Sequence, residues 1–469
     1  QAMMRDAAPG PDRDSGPPPD PGPRPRRGLA RLLQGDGLGR RALRGSLWTI
    51  LGFGGAQGLR LASNLILTRL LFPEVFGVMA LIMVVIQGLN NFSDVGVGPA
   101  IMQSRRGDDR DFLNTAFTMQ AVRGLVLWLA CIALAAPIAR FYGTPELAWY
   151  LPVAGFISVI NGLLTTRMEQ ANRHLQLGLL TRIELASSAI SIVLMVVLAA
   201  VMRSAWALVI GMVVGTAIHW LLAEILLPGN RNRFCWDRSA VAELMSFGKW
   251  IFPSTIVGFG IAQGDRAILG KYLTLDELGI YNIAFFLASF PLLLAISVIW
   301  KLMIPVYREH HQDASHTLTH RLRRIHWGLT GGFLAVLVVM AALGPWIVSM
   351  LYDPRYEAAG MMLPMIACAT IPQIVMLSYD QAALANGDSK RFLVVTTIRA
   401  VLFLSFYWIG VHFAGLPGAL AGQALAAMLA YPAVVWIARR YRVWDPVHDL
   451  TFFAAGAVAA LLVLVVWAA

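Results

Sequence analysis

Four arginines stand where arginine is costly. Arg60, Arg123, Arg266 and Arg399 each fall well inside an apolar stretch, and each has a polar residue three positions earlier: Gln57, Gln120, Gln263 and Thr396. Residues three or four apart share a helix face, and Gln57, Arg60, Asn64 and Thr68 extend one such face over nearly the length of a span. A guanidinium in hydrocarbon costs about 2.5 to 3.5 kcal/mol on insertion scales, so one far from a span's ends faces a cavity or a partner. Its planar fork gives two hydrogen bonds to one oxyanion and keeps its charge at any relevant pH, which suits phosphate. A single such arginine reads as paired with a buried carboxylate or reaching to an interface. Four of them, spread along the chain, predict a cationic cavity that binds an anion through Arg60, Arg123, Arg266 and Arg399.

The carboxylates and amides form a second set. Gln87, Asn90, Asn91 and Asp94 make one stripe, Asn161, Thr165, Glu169 and Asn172 another, and Glu184, Glu224, Asp265 and Asp380 fall within spans or near their ends. Such groups bind coupling protons or cations in membrane proteins, so Asn64, Asn90, Asp94, Asp265 and Gln263 are candidates for polar or coupling roles. For any one of them, structural pairing is the commoner use. His310, His311, His316 and His320 lie in REHHQDASHTLTHRLRR, which reads as a solvated basic helix, and no metal is expected. Cys131, Cys235 and Cys368 are isolated, with no CxxC or Cys/His spacing, and read as packing residues. GxGxxG, Walker A and GxSxG patterns are absent, so neither a cofactor nor a catalytic step is expected.

The elements that position these residues follow from composition. Of 469 residues 57% are hydrophobic and 14% charged, against about 25% charged in a soluble domain. So few charges cannot cover so much apolar surface in water, which excludes soluble enzymes and secreted disulfide scaffolds and leaves an integral membrane protein. Residues 1–44 are rich in Pro, Gly, Arg and Asp and read as a disordered basic cytoplasmic tail. Thirteen apolar segments follow, near 46–71, 76–101, 112–138, 147–168, 180–202, 205–227, 247–271, 278–304, 326–351, 359–385, 391–414, 416–438 and 449–469. None alternates with period two, so a β-barrel is not expected.

Basic residues give these spans an orientation. With the N-terminus cytoplasmic, the even connections carry Arg105, Arg106 and Arg110, then Arg167, Arg173 and Arg182, Arg231, Arg233 and Arg238, Arg308 and Arg321 to Arg324, Lys390 and Arg391, and Arg439 to Arg442. The odd connections carry little beyond Arg69, Arg140, Arg203, Lys271 and Arg355. This asymmetry explains the net charge of +11 without nucleic acid as a partner.

A repeat recurs at an offset of 202 residues. Trp48 pairs with Trp250, Gly58 with Gly260, Leu67 with Leu269, Arg69 with Lys271, Leu71 with Leu273, Glu74 with Asp276, and Gly77 with Gly279. Six spans separate the copies, so both halves have one orientation and are related by an axis along the membrane normal, the plan of a rocking two-lobe transporter. The expected units are the tail 1–44, an N-terminal six-helix lobe 45–227, a cytoplasmic linker 228–245, a C-terminal six-helix lobe 246–438 and an additional helix 439–469.

Two groups of residues carry a family resemblance. Arg69, Leu71, Pro73, Glu74, Phe76 and Gly77 form an R-x-L-x-P-E-x-F-G turn, followed by F-S-D-x-G-x-G at Phe92 to Gly98. The second half has W-x-F-P at Trp250 to Pro253, Asp265, and L-G-x-Y at Leu278 to Tyr281. Over about residues 45–440 the chain resembles the Wzx-type polysaccharide transporters, which share a superfamily with lipid II flippases and MATE multidrug exporters. The resemblance implies an all-α, MATE-like integral membrane protein of 13 to 14 transmembrane helices in two pseudo-symmetric six-helix lobes. A fourteenth helix remains open, because the chain is still apolar at Val466 to Ala469.

The same resemblance implies a flippase in the bacterial cytoplasmic (inner) membrane. It would move an undecaprenyl-pyrophosphate-linked oligosaccharide outward by alternating access, for exopolysaccharide or lipopolysaccharide O-antigen biosynthesis. Membrane lipid, and a polysaccharide polymerase or export machinery, are the implied partners. Asp94 and Asp265 lie within the matching motifs; the four arginines do not. A MATE-like small-molecule or drug antiporter is the alternative, but a cation exporter should hold carboxylates rather than arginines at mid-membrane. A polyprenyl-dependent membrane enzyme would need a larger outer loop than the short connections here provide.

Overall fold

The computed structural model describes residues 38–312 and 316–468, and every regular element among them is helical. In chain order these are α1 (Leu38–Leu70), α2 (Pro73–Asn91), α3 (Val97–Gln103), α4 (Arg110–Tyr142), α5 (Leu147–Gly162), α6 (Arg167–Arg173), α7 (Leu177–Met202) and α8 (Ala205–Leu226). The second half holds α9 (Arg238–Tyr272), α10 (Leu275–Ala288), α11 (Phe290–Gln312), α12 (His316–Leu351), α13 (Ala358–Met376), α14 (Asp380–Ala385), α15 (Ser389–Arg440) and α16 (Pro446–Ala468). Among the described residues, eight helices are each long and apolar enough to cross a membrane, and three bent helix pairs bring the total to eleven when each is taken as one span. The chain is a multi-pass membrane protein.

Helix α15 is two spans folded back on each other. Ala414 and Gly415 leave helical geometry, and Gly415 sits at φ 60°, ψ −146°, a conformation open essentially to glycine alone. A Cβ on Gly418 would lie 2.2 Å from the Gly410 carbonyl oxygen, so the two arms pack backbone to backbone. The predicted break between 391–414 and 416–438 falls at this point.

Two expectations need correction. The tail was expected to reach residue 44, but α1 begins at Leu38; residues 1–37 lie outside the described residues. The spans expected to be continuous over 76–101, 147–168 and 359–385 are broken into α2/α3, α5/α6 and α13/α14. The F-S-D-x-G stretch makes the first break: Ser93 Oγ donates to the Leu89 carbonyl, the Gly96 N–H donates to Asp94 Oδ1 at 2.9 Å, and Gly96 takes φ 62°. An Asx turn followed by a left-handed glycine cannot continue a helix. The described residues also exclude the side chains of His310, His311 and His316, on which the expectation of no metal partly rested.

The breaks obey the repeat. Span two of the second half bends by 40° between α10 and α11, and its span four breaks at residues 377–379, matching α2/α3 and α5/α6. The two halves meet most closely where α2 crosses α10. A Cβ on Gly77 would sit 2.0 Å from the Leu275 carbonyl oxygen, and one on Gly279 would sit 1.9 Å from that of Pro73. These contacts are reciprocal, since Leu275 is offset from Pro73 by the repeat length. The charge-poor end is closed further by Tyr356 Oη on the Leu71 carbonyl (2.9 Å), Arg355 on that of Arg69 (3.1 Å) and Tyr142 Oη on that of Ala267 (3.2 Å).

The core lies beneath this crossing. Leu71, Leu81, Leu147, Leu269, Leu278, Tyr281, Leu363 and Tyr407 are buried there. The outer surface is apolar instead, with Trp149, Val193, Val201, Phe413 and Leu461 exposed as lipid-facing side chains. Helix α9 bends by 46° between its Arg238–Gly248 and Ile251–Tyr272 arms. Ala240 and Leu244 of the first arm pack on Ile101, Phe112 and Leu113 of the N-terminal half, whereas Gly260 and Gly264 of the second arm lie against Leu404 of α15.

Candidate functional site: two arginines from opposite halves

Helix α1 packs mainly on α7 and leaves Gly58, Arg60 and Leu61 exposed. Across from it, α10 presents the adjacent rings Phe285 and Phe286. The Arg60 guanidinium lies 5.5 Å from the Phe286 centroid, and that of Arg266, from α9, lies 4.4 Å from the Phe285 centroid. Two arginines from opposite halves therefore flank one aromatic pair, close enough for their charges to repel. The ring faces partly offset each charge. Arg266 donates Nε–H to Asn282 Oδ1 at 2.9 Å, and its Nη1 is 3.6 Å from Asp265 Oδ1, an ion-pair distance too long for a hydrogen bond. No ion pair joins Arg60 among the described residues. Asn64 follows one turn beyond Arg60, half-exposed.

The other two predicted arginines are engaged elsewhere. Arg123 donates Nε–H to Ser93 Oγ at 2.9 Å and Nη2–H to the Asn90 carbonyl at 2.6 Å. A cation on the last-turn carbonyls of α2 satisfies groups that a helix end leaves open, so Arg123 holds the α2/α3 break. Arg399 pairs with Asp380 at 2.5 Å. The four arginines thus do not form one ring: Arg60 and Arg266 come together, Arg123 caps a helix, and Arg399 belongs to a second compartment.

That compartment is a cavity of about 330 Å³ within the C-terminal half, lined by Asp265, Phe285, Gln373, Asp380, Arg399 and Gln423 among others. Asp265 is buried; its Oδ2 accepts from Tyr281 Oη at 2.8 Å, while Oδ1 has no hydrogen-bond partner. Tyr281 Oη is itself 3.3 Å from Tyr407 Oη. Asp265 and Arg266 are consecutive on α9, so one turn of helix presents a carboxylate to the cavity and a guanidinium to the Phe285 ring, which itself lines the cavity.

Amides stitch the halves along α2 and α9. Gln263 donates Nε2–H to Gln87 Oε1 at 2.6 Å, leaving its own buried Oε1 without a partner, and Thr255 Oγ donates to the Asn91 carbonyl at 2.9 Å. Asn90 donates Nδ2–H to the Ile86 carbonyl on its own helix, and Asp94 is occupied by its turn.

Sequence reasoning missed two polar clusters. Arg167, counted among basic loop residues, is buried: it pairs with Glu224 at 2.5 Å and donates to the Leu227 and Glu224 carbonyls at the end of α8. The second, around His326, His448 and Asp449, lies under α16. The signal for the first was Glu224, a carboxylate near the end of an apolar span; the second involves residues more than one hundred positions apart and had none.

Comparison with known proteins agrees with this architecture. The chain is 24% identical to the amylovoran biosynthesis protein AmsL of Erwinia amylovora, with 70% of this chain and 86% of that one covered. It is 24% identical to the succinoglycan biosynthesis transport protein ExoT of Rhizobium meliloti, over 57% of this chain and about half (53%) of ExoT. It is 20% identical to the lipopolysaccharide biosynthesis protein WzxC of Escherichia coli, over 83% and 79%. Among solved structures, the lipid II flippase MurJ in an inward closed conformation superposes with a TM-score of 0.68 at 13% identity, covering 90% of this chain and 98% of that one. An inward-facing MATE family multidrug transporter gives 0.65 at 14%, over 82% and 94%. The fold is therefore the MATE-like arrangement of two pseudo-symmetric lobes. Residues 66–361, well over half the chain, match the family model for polysaccharide biosynthesis proteins, and the chain belongs to that family.

Proposed function

We propose that the protein is a flippase that carries an undecaprenyl-pyrophosphate-linked oligosaccharide across the bacterial cytoplasmic membrane for exopolysaccharide or lipopolysaccharide assembly. The observation that carries this reading is the Arg60 and Arg266 pair, drawn from opposite halves and flanking one aromatic pair. Like charges held close are favourable only with an anion between them, and a pyrophosphate offers oxygens to both forks. The names of AmsL, ExoT and WzxC support a polysaccharide cargo.

In this reading the arginine-rich end faces the cytoplasm, as the distribution of basic residues supports. The Gly77/Gly279 crossing is the outer gate, closed in this conformation. The lobes 45–227 and 246–438 rock about the pyrophosphate, which cancels the repulsion between Arg60 and Arg266 and lets the halves close over it. Asp265, with its unpartnered Oδ1 beside Arg266, is the coupling residue: a proton or cation there frees Arg266 from the carboxylate it pairs with among the described residues. Asn64 and Gln263 line the same interface. A polysaccharide polymerase and export machinery would receive the product, and we assign the protein no catalytic step.

The test is flipping of a fluorescent undecaprenyl-pyrophosphate oligosaccharide in proteoliposomes, read by an external quencher. A hydrogen bond to a charged group contributes about 1.5 to 3 kcal/mol, so Arg60→Ala and Arg266→Ala should each slow flipping by about 10- to 150-fold. Flipping at the wild-type rate by both variants, shown folded by gel filtration, would remove the pyrophosphate from this site. Export of a cationic dye with no lipid flipping would favour the antiporter.

A further inference from the structure

The cavity in the C-terminal half has polar walls that the flippase reading leaves without a role. Gln423 of α15 lines it and is 5% exposed, and Gln373 of α13 lines it too. Neither amide makes a hydrogen bond among the described residues, and neither is sealed from open space as Asp265 Oδ1 is. A buried amide left unpaired is costly, so these two call for a partner inside the cavity. The Asp380 and Arg399 pair is only half used. Arg399 Nη1 donates to Asp380 Oδ2 at 2.5 Å, which leaves Asp380 Oδ1 as an acceptor and Arg399 Nε–H and Nη2–H as donors. Much of the remaining wall is apolar and includes the flat rings of Phe285, Phe392 and Phe403.

This set of donors and acceptors selects its ligand by elimination. An organic cation needs an unpaired carboxylate, but Arg399 neutralises Asp380, and Asp265 is bonded to Tyr281 with Arg266 3.6 Å away. An anion meets two carboxylates against one guanidinium. A polyprenyl chain would strand both amides and the open atoms of the ion pair without partners, which is a strong basis for rejection. A neutral polyol satisfies them all, since every hydroxyl is one donor and two acceptors. Two adjacent hydroxyls can donate to Asp380 and accept from Arg399, others can pair with Gln373 and Gln423, and the apolar face of a sugar ring can lie on a phenylalanine.

We propose that this cavity is a sugar subsite that holds one uncharged pyranose of the cargo, the one bonded directly to the pyrophosphate. The proposal rests on the flippase reading. Phe285 joins the two sites, because it lines the cavity and has the Arg266 guanidinium 4.4 Å from its centroid. A pyrophosphate on Arg266 thus brings its first sugar within reach of the cavity. The volume of about 330 Å³ lies at the small end of ligand pockets, which run from about 300 to 1,000 Å³, so the rest of the oligosaccharide stays outside. The subsite reads the proximal sugar alone, and glycans that share this sugar bind alike whatever follows it.

The test is binding to the full chain in lipid nanodiscs, measured by native mass spectrometry. The probes are undecaprenyl pyrophosphate alone and the same lipid bearing one glucose, galactose, N-acetylglucosamine or glucuronic acid. At least one neutral sugar should raise the affinity by about tenfold or more, and glucuronic acid should not. Gln373→Leu and Gln423→Leu should each cut that gain by about 2- to 12-fold, the worth of one neutral hydrogen bond, and leave the bare lipid unaffected. Neither variant removes an internal hydrogen bond, so both should fold. Arg60→Ala should weaken all probes alike. Equal wild-type affinity for the bare and sugar-bearing lipids, a gain from glucuronic acid equal to that from the neutral sugars, or an undiminished gain in both glutamine variants would overturn the subsite and leave the pyrophosphate site standing. Binding of none of the probes would overturn both readings. If a glutamine variant fails to fold, the wild-type comparison still decides, because the proposal requires the bare lipid to bind more weakly.

Discussion

Substituting Gly77 by Ala should open the charge-poor end of the molecule. The added Cβ would stand 2.0 Å from the Leu275 carbonyl oxygen, where ordinary contact is 3.4 to 4 Å, and that oxygen belongs to backbone at the first residue of α10. The helix start is pinned by the Thr274/Glu277 capping box, so the clash cannot be relieved by a side-chain rotation. The two helices must part by more than an ångström. Overpacking of this kind costs about 1 to 3 kcal/mol, and the cost falls only on the conformer in which the crossing exists. A two-state equilibrium therefore shifts by about 5- to 150-fold toward separation of α2 from α10. Spin labels on cysteines at the exposed positions Glu74 and Asp276, in a protein with its three native cysteines replaced, report the distance directly. The wild type should give a narrow short-distance peak, and Gly77→Ala or Gly279→Ala should each move population to a longer one. A folded Gly77→Ala protein with the wild-type distance distribution would refute the claim that these glycines permit closure, and with it the reciprocal packing of the repeats.

Two other predictions concern the arginine-rich end. Asp237 caps α9, and the Ser239 hydroxyl and N–H together with Arg106 hold its carboxyl down to about 2; a depressed carboxylate contributes above its ordinary range, near 4, and loses the contribution as pH falls toward 2. Proteolysis of the 228–237 segment should accordingly stay slow down to roughly pH 4 in wild type and be fast at pH 7 in Asp237→Ala; wild-type loosening already at pH 5 would contradict the assignment. Arg167→Met leaves Glu224 partly buried without its 2.5 Å partner, with Arg231 3.6 Å away and exposed. Breaking such a pair costs about 3 to 5 kcal/mol, visible as a lowered unfolding temperature in detergent, and Glu224→Gln in the same chain should recover part of it. A double variant no more stable than Arg167→Met would show that the carbonyl contacts at the end of α8, not the ion pair, dominate.

The legible part of the site was the part that hydrocarbon makes expensive. Arg60 and Arg266 stood out because a guanidinium in an apolar run demands an explanation, and the structure brings those two together. Arg123 and Arg399 sent the same signal for a different reason: one satisfies the open Asn90 carbonyl at the end of α2 and the other neutralises Asp380. Sequence alone did not separate these uses, because an arginine costs the same in an apolar span whichever oxygen it serves. Asp94 shows the converse. It lies in a matching motif, yet its carboxylate closes an Asx turn that breaks the second span.

By itself, the sequence determined the membrane class, the succession of apolar spans and the two-fold repeat, since each rests on a property that accumulates along the chain: hydropathy over about twenty residues, or identity at a fixed offset. It even marked Gly77 and Gly279 as partners in the repeat. Only the tertiary structure decided that these glycines touch, that α9 divides its two arms between the halves, that Asp265 lines the cavity while Arg266 lies on the Phe285 ring, and that His326 meets His448 across more than one hundred residues. Those outcomes depend on how helices turn about their axes and where breaks redirect them. Such rotations are set by packing among many side chains at once, and no local pattern encodes them.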